Sequence, residues 1–380
     1  MQFRLLSVGL LALLVVACED PTGVGSTLVD EQTGQPRVVT EIPTELEPRT
    51  YPDLSGDARR LLVGQVDDPL TGQSQATAYF DVGIGNNIND DFTDNPITAA
   101  SLELRTDYVY GDTLTPVTIR ISDMGENWPS TGVTTDTTFT PGGEIRTFSF
   151  SPTDTLVTVP LPAAWITANQ SQLRVDNADF VGNFHGFQID VVEGNAIVGF
   201  VTTQSSLQAT AGGTTVTYVG VRAATTMQRL TEPAGLSSYQ LIQDGVGPGL
   251  RFNFDLSDIA LSALNRTVIR VRADSAALQQ NLPANFVRPA LPSLELLIVD
   301  ENGLEILVQT RSPDEDGVFT FDAGGLRNVV QEILLGEVEI QEFGLALTQP
   351  DGHSASALLI HDIGTAFEPE ALLTLTPVTN

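Results

Sequence analysis

Short runs in which apolar and polar side chains alternate recur along most of the chain, and turn-forming residues bound each run. In Thr118-Ile-Arg-Ile-Ser122 the isoleucines point to one side and the polar residues to the other, as in a strand with one buried face. Similar runs occupy residues 76–82, 101–105, 146–150 and 156–159. Many short strands joined by turns are typical of a β-sandwich, so we predict an all-β fold.

Four blocks of the sequence occur twice in the same order. Residues 61–82, 97–105, 117–123 and 186–200 match residues 239–256, 264–272, 294–300 and 344–358. The last match aligns Glu193-Gly194 with Asp351-Gly352, where we expect hairpin turns. A repeated order indicates a duplicated unit. We therefore predict two similar jelly-roll-like β-sandwich halves, residues 51–230 and 235–380.

One stretch of the second half, residues 325–335, has a clear helical period. Its apolar residues recur at the spacing of one helix face, and Arg327, Asn328 and Gln331 are expected to face outward. We predict one short helix here, closing one end of the second sandwich. The residues of the apolar stripe are Leu326, Val329, Val330, Ile333 and Leu334.

The N-terminus has the pattern of a secretion signal. Arg4 precedes an apolar run over residues 5–16, which is shorter than the roughly 20 residues that a membrane-spanning helix needs. The run ends at Ala17-Cys18, and Cys18 is the one cysteine of the chain. This ending resembles the lipobox of bacterial lipoproteins. A cysteine buried within an ordinary signal peptide is the alternative interpretation.

The lipobox resemblance implies removal of residues 1–17 and lipidation of Cys18. A diacylglyceryl group would be attached to its sulfur and an acyl chain such as palmitate to its new amino group, which makes the membrane a partner. Two or three acyl chains anchor a protein stably, whereas a single chain holds it marginally. Glu19 gives no strong inner-membrane retention signal, so we expect a cell-envelope protein at the outer membrane. The sequence does not indicate whether it is on the periplasmic or the surface face of that membrane.

Residues 18–50 are interpreted as a lipid-anchored linker because prolines recur there without any amphipathic period. The segment 37–42 has the composition of an edge strand and is the one part of the linker for which pairing is expected. The predicted organisation is therefore a lipid-anchored tether followed by two sandwiches.

Charge and cysteine content exclude several classes of protein. The chain has 48 Asp and Glu against 18 Lys and Arg, a formal net charge of −30, and every one of its basic residues is Arg. A nucleic-acid-binding protein needs a basic surface, so this class is excluded. A single cysteine excludes an internal disulfide framework and multi-cysteine metal sites. The acidic surface should repel anionic headgroups, so the acyl chains would have to hold the protein at the membrane.

Two family resemblances concern most of the chain after the signal peptide. The segments 249–259, 267–272 and 344–347, together with the intervening helix, resemble DNRLRE-type β-sandwich modules of bacterial surface proteins. Residues 18–23, the Asp68-Pro69 pair with its flanking glycines, and Tyr110-Gly-Asp112 are similar to uncharacterised Bacteroidota-type lipoproteins. Both resemblances imply a sandwich fold and a place on the cell envelope. Neither implies an activity.

An acidic loop is the one candidate for a cofactor site. Residues 86–95 carry at least six side-chain oxygens, and Ca²⁺ takes six to eight oxygen ligands. The candidate calcium ligands are Asn89, Asp90, Asp91 and Asp94, and residues 314–317 form a shorter acidic loop. A solvated loop is the alternative in both places. No other cofactor is indicated.

The two tryptophans are candidates for contact with sugars. Trp128 could stack on a sugar ring, and Trp165 lies in a comparable setting next to a strand end. Anchoring of a core edge is the alternative role for both side chains.

No catalytic set is evident. The three histidines, His185, His353 and His361, lack metal-ligand spacing, and no Gly-x-Ser-x-Gly motif occurs. We therefore expect no enzyme. The protein is predicted to be a non-catalytic cell-envelope lipoprotein that acts as a structural or interaction module and binds an envelope protein. The alternative is a carbohydrate-binding or carbohydrate-processing surface lipoprotein with a glycan partner.

Overall fold

The alternating runs form antiparallel strands in a computed structural model of the chain, and the all-β prediction is confirmed. The structure describes residues 35–49, 58–84, 88–129, 133, 137–174, 183–233, 235–246, 249–259, 262–338, 340–347 and 354–377. The signal peptide, Cys18 and most of the predicted linker lie outside these residues.

Two strands, β1 (Arg37–Glu41) and β2 (Pro43–Arg49), precede the first sandwich. The first sandwich also has a 3₁₀ turn at Thr202–Gln204. Its strands and helices are β3 (Arg60–Asp68), β4 (Gly72–Ile84), α1 (Asp90–Asp94), β5 (Ile97–Asp112), β6 (Val117–Met124), β7 (Pro141–Phe150), β8 (Leu156–Pro160), α2 (Ala163–Leu173), β9 (Phe187–Glu193), β10 (Ala196–Val201), β11 (Ser206–Ala211) and β12 (Thr214–Arg229).

The second sandwich begins after residue 235, where the second predicted half starts. Its strands and helices are β13 (Tyr239–Gln243), β14 (Gly249–Phe254), β15 (Ser262–Arg272), α3 (Ser275–Leu278), β16 (Phe286–Val287), β17 (Leu294–Asp300), β18 (Glu305–Arg311), β19 (Val318–Phe321), α4 (Gly324–Leu335), β20 (Ile340–Leu347), β21 (Ala357–His361) and β22 (Glu370–Pro377).

The two halves repeat one topology. In the first half β3 pairs with β10, β9 with both β4 and β6, β6 with β7, and β5 with both β8 and β11. In the second half β13 pairs with β21, β20 with both β14 and β17, β17 with β18, and β15 with both β19 and β22. Each of these strand pairings in the second half is the counterpart of a pairing in the first half. The matched sequence blocks therefore lie on corresponding strands.

The second sandwich is completed by strands from the N-terminus. In the first half the long strand β12 pairs with β11 and β4. The corresponding places in the second half are taken by β1, which pairs with β22, and β2, which pairs with β14. The expected edge strand is thus present as β1, and the predicted linker also contains β2. Leu46 of β2 is 5% exposed and belongs to the core of the second sandwich.

Each sandwich has its own core, and a third apolar cluster joins them. Leu62, Val66 and Tyr110 of the first half pack there with residues of the second half that include Phe286 and Ala355. The rings of Tyr110 and Phe286 meet edge to face with centroids 6.0 Å apart. Because fully buried large side chains contribute about 1.5–3 kcal/mol each, this cluster is a stabilising interface between the halves.

The helix predicted over residues 325–335 is confirmed as α4. Its Leu326 and Val330 are buried in the second core. The expected outward orientation of Gln331 is wrong, because its side-chain oxygen accepts a hydrogen bond of 2.6 Å from the backbone N–H of Leu264.

Two further expectations about local structure are wrong. The first half contains two helices of its own, α1 and α2, which the sequence pattern did not indicate. Glu193-Gly194 connects β9 to β10 but does not form a hairpin, because the two strands pair with different neighbours. The matching Asp351-Gly352 lies outside the described residues. Within the residues that the structure describes, no helix has the length and apolarity needed to cross a bilayer.

Candidate functional site

Strands β6, β9, β4 and β12 lie side by side in the first sandwich and present one outer face. Because side chains alternate along a strand, Phe80 and Ile189 point into the core while their neighbours Tyr79, Gln188 and Asp190 point outward. Polar side chains from β4, β9 and β12 therefore converge on this outer face.

These outward side chains form a depression that we call the sheet-face groove. Its volume is about 230 Å³. Strands supply its floor, and Thr138 and Phe139, which precede β7, supply a wall. The groove is lined by Gln75, Thr77, Tyr79, Thr138, Phe139, Gln188, Asp190, Thr226 and Gln228.

A carboxylate and an amide organise the floor of the groove. The side-chain nitrogen of Gln188 donates to both oxygens of Asp190, at 2.9 and 3.0 Å. Thr77 donates to the same carboxylate at 3.4 Å, and Arg120 lies 3.4 Å from it on the neighbouring strand. Asp190 and Arg120 have opposite charges, so the floor has little net charge.

The amide oxygen of Gln188 has no hydrogen-bond partner among the described residues. Gln188 is 8% exposed, and its nitrogen is already engaged by Asp190. An unsatisfied buried acceptor costs about 1–3 kcal/mol. This oxygen is itself shielded from solvent, so it is an unmet acceptor beneath the floor of the groove and not a group on its surface.

One end of the groove is aromatic. The rings of Tyr79 and Phe139 lie edge to face with their centroids 4.8 Å apart, and the centroids of the Trp128 and Phe139 rings are 5.6 Å apart. Burial raises the pKa of the Tyr79 hydroxyl and the negative charge of Asp190 raises it further, against the hydrogen bonds with Thr226 and Phe139. Tyr79 is therefore a neutral hydroxyl group beside the carboxylate.

A buried ion pair holds the segment behind the aromatic end. Arg222 of β12 donates to the carboxylate of Asp81 at 2.8 and 2.5 Å and to the backbone oxygen of Trp128 at 2.6 Å. Its guanidinium carbon lies 5.2 Å from the centre of the Trp128 ring. Burial raises the pKa of Asp81 and outweighs the opposing effect of Arg222. The Arg222–Asp81 pair therefore holds Trp128 against strands β4 and β12, and Trp128 in turn packs on the wall residue Phe139.

Trp128 does not have the role of a sugar-stacking surface in this structure. It is 1% exposed, and its indole N–H donates to the backbone oxygen of His185 at 2.9 Å. Trp165 is 6% exposed and donates to Asp123 at 2.8 Å. A sugar ring has no access to either indole, so both tryptophans are packing residues, which was the alternative interpretation.

The candidate calcium loop is largely a single turn of helix. Asn89 caps α1 by accepting a hydrogen bond of 3.0 Å from the backbone N–H of Phe92, and Asp90 and Asp91 lie in the first helical turn. Asn86 lies outside the described residues, as does Asn87. Among the residues that are described, no group of three or more His, Cys, Asp and Glu side chains could hold a metal ion.

The second acidic loop is a turn in which side chains bind the backbone. The carboxylate of Asp314 accepts hydrogen bonds from the backbone N–H groups of Asp316 and Val318, both at 2.9 Å. The structure therefore accounts for this aspartate as a turn residue.

Neither of the two histidines that the structure describes lines the sheet-face groove. His185 accepts the Trp128 indole through its backbone. His361 packs on Tyr239 and Phe367 in the second sandwich, and burial lowers its pKa. His353 lies outside the described residues.

Two larger depressions lie on the second sandwich. One, of about 380 Å³, is bordered by Arg270, Arg272 and the half-exposed Phe367. The other, of about 480 Å³, is mainly apolar and borders the end of α4. Neither has among its lining residues a buried polar atom left without a partner. The sheet-face groove is therefore the stronger candidate for a ligand site.

Sequence reasoning missed this groove. The available signal was the run Gln75, Thr77 and Tyr79, where one face of a strand carries amide and hydroxyl groups in place of the usual charged residues. Thr138 and Phe139 lie about 60 positions further along the chain, and the remaining lining residues come from strands more than a hundred positions away, so no local spacing connects them.

Comparison with known proteins does not identify a family. No protein-family model matches the chain, and no curated protein matches it. A chain in a solved structure described as "Structure of infectious bursal disease virus Gx strain" aligns at 9% identity over 93% of this chain and 79% of that one. The TM-score of this alignment is 0.10, which is too low to support an argument about fold or function.

Proposed function

We propose that the protein is a non-catalytic lipoprotein of the cell envelope, anchored at the outer membrane through Cys18, that presents its paired sandwiches as an interaction module. The sequence pattern ending at Ala17-Cys18 supports the anchor. The charge of −30 argues against nucleic acid as the partner.

The observation that carries the proposal is the position of β1. This strand begins at Arg37, a short distance after Cys18, and it pairs with β22 near the other end of the chain. An anchor at Cys18 would therefore hold the second sandwich through a strand of its own sheet.

The contacts between the halves extend this hold to the first sandwich. Arg288 of the second half and Asp68 of the first form a buried ion pair, and Tyr108 accepts a hydrogen bond of 3.0 Å from the backbone of Ala355. One anchor would thus display both sandwiches as a joined body, which is the arrangement that an interaction module needs.

The anchor is tested by the variant Cys18→Ser in a host that processes lipoproteins. We expect the wild type in the outer-membrane fraction with an incorporated palmitate analogue, and the variant in the soluble fraction without label. Thr22→Ser is the matched control and should behave as the wild type does. A variant that stays in the membrane fraction would contradict the lipid anchor.

The sheet-face groove favours a second candidate, a surface lipoprotein that binds carbohydrate. Its carboxylate, amide and hydroxyl groups converge beside an aromatic wall, which is the composition of a site that orients a polar ligand.

A further inference from the structure

We propose that the sheet-face groove binds a single neutral sugar residue, either free or at the end of a glycan. The inference gives the proposed interaction module a ligand class. Sugar binding is measured on the protein in solution and does not depend on membrane attachment, so either proposal can fail alone.

The first argument is the arrangement of hydrogen-bonding groups. The side chains of Gln75 and Gln228 at the edge can both donate and accept, and the unpartnered oxygen of Gln188 lies just beneath the floor. Thr77, Thr226 and Tyr79 add hydroxyl groups. A sugar also presents several hydroxyl groups that donate and accept, so it matches this set better than a ligand with acceptors alone.

The second argument is charge. Asp190 is the one charged residue among those that line the groove, and Arg120 lies 3.4 Å from its carboxylate. An anionic ligand would meet Asp190 without a free cation, and a cationic ligand would have to compete with Arg120. The groove therefore favours a neutral ligand.

The third argument is the aromatic wall. Phe139 is partly exposed at the edge of the groove and is held edge to face against Tyr79. An aromatic ring offers apolar surface beside polar groups, which suits the C–H face of a sugar ring.

Size and backbone pairing exclude longer ligands bound as strands. The volume of about 230 Å³ is smaller than the roughly 300 Å³ at which pockets for drug-sized ligands begin. An extended peptide usually binds by adding a strand to an open sheet edge. Strand β4, the central strand of the floor, is paired with β12 on one side and with β3 and β9 on the other, so side chains must make the contacts.

The test uses the full chain and a panel of neutral monosaccharides and disaccharides, acidic sugars and short peptides. Binding is measured by saturation-transfer NMR and by the fluorescence of Trp128, which packs on Phe139. We expect a neutral sugar to bind with a Kd of about 1 mM or below. Gln228→Ala and Gln188→Ala should each weaken this binding by about tenfold or more.

The control is Gln204→Ala, an exposed glutamine in the 3₁₀ turn outside the groove, which should bind as the wild type does. Gln228 is also exposed, so its variant keeps the test valid if the Gln188 variant does not fold. Failure of every neutral sugar to bind, a preference for acidic sugars or peptides, or equal binding by the groove variants and the control would each overturn the proposal.

Discussion

Arg288 and Asp68 form a two-pronged ion pair across the interface between the two sandwiches. The side-chain Nε of Arg288 donates to one oxygen of Asp68 at 2.7 Å, and a terminal nitrogen donates to the other at 2.6 Å. Both side chains are almost completely buried, and the two residues are 220 positions apart in sequence. The hydroxyl of Tyr110 also donates to Asp68 at 2.7 Å. This carboxylate is therefore the centre of the polar contact between the halves.

Removal of the cation should destabilise the protein strongly. We expect Arg288→Met to lower the free energy of unfolding by about 3–5 kcal/mol, because Asp68 would remain as a buried charge without its partner. Arg270→Met is the matched control, since Arg270 lies 3.4 Å from Glu370 with half of its side chain exposed. Exposed pairs contribute about 0–1 kcal/mol. Urea unfolding followed by circular dichroism measures both, and equal losses would contradict the role of the pair.

Acid should weaken the same interface. Burial alone would raise the pKa of Asp68, but hydrogen bonds from Arg288, Leu70 and Tyr110 lower it below 3.8. A carboxyl group whose pKa is lowered by folding contributes stability above its unfolded value and loses it as the pH falls through its folded value. We therefore expect the unfolding free energy of the wild type to fall below pH 3.8 more steeply than that of Arg288→Met. Parallel pH profiles would show that Asp68 does not contribute.

Asp123 provides the opposite case. Burial raises its pKa, against the hydrogen bond that it accepts from Trp165. The stability linked to such a group is present below the unfolded pKa and is lost as the pH rises through the folded pKa. Asp123→Asn keeps the acceptor oxygen and removes the charge. The variant should therefore be more stable than the wild type at neutral pH, and this difference in unfolding free energy should be smaller at pH 3. A difference in unfolding free energy that grows as the pH falls would contradict a raised pKa for Asp123.

The core role of β2 is open to a direct test. Leu46 is 5% exposed in the second core, so Leu46→Ala should cost about 2–5 kcal/mol in unfolding free energy. Val38 of β1 is 65% exposed, and Val38→Ala should change it by less than about 0.5 kcal/mol. Thermal unfolding compares the two variants. If both behaved alike, the N-terminal strands would not be part of the second sandwich.

Gly64 marks a close approach between strands. Its φ is +138°, and a Cβ atom there would lie 2.0 Å from the backbone oxygen of Ala196. Strain of this kind costs about 1–3 kcal/mol before the clash is added, so Gly64→Ala should lower the melting temperature markedly. Gly143 of β7 has open space around its Cβ position, and Gly143→Ala serves as the control. Similar melting temperatures for the two variants would contradict the close approach.

The burial of both indoles predicts the fluorescence of the protein. Trp128 and Trp165 are 1% and 6% exposed, so emission should be blue-shifted and acrylamide should quench it weakly. Trp165→Phe leaves Trp128 as the one remaining indole and should retain both properties. Strong quenching in this variant would mean that Trp128 is accessible to solvent, and Trp128 would then again be a candidate for stacking on a sugar ring.

Local patterns in the sequence were sufficient to predict several strands of the cores. Alternation at Thr118–Ser122 gave a strand of correct type, and the stripe around Leu326 and Val330 gave a helix, because both patterns depend on neighbours a few positions apart. The repeated blocks also predicted the duplication. These features need no knowledge of distant contacts.

Helix α2 and strand β2 escaped prediction for different reasons. Helix α2 has three buried residues, Trp165, Ile166 and Leu173, and it follows a proline that provides no side-chain cap, so its pattern was weak. The prolines of β2 suggested a linker. In the structure β2 is the outer strand of its sheet, where a missing N–H is tolerated.

The candidate site could not have been found from local patterns. Thr77 and Asp190, which are in contact, are 113 positions apart. The burial of Trp128 depends on Arg222, which lies on β12. Such contacts follow from strand pairing across the whole half, which no short window of sequence contains.

The N-terminal position of β1 and β2 sets the order in which the second sandwich can form. These strands leave the ribosome first, yet Thr44 bonds to Asn253, 209 positions later, and Arg37 pairs with Leu375. Contacts so distant in sequence are slow to form, because a long loop must close before they are gained. Apart from the two-residue strand β16, which pairs with the end of β5, the strands of the first sandwich lie within residues 60–229, so this sandwich can form almost entirely from its own chain segment. The second must wait until β22 has been synthesised, so β1 stays without its partner while more than three hundred residues are added, and its docking can follow only the synthesis of β22.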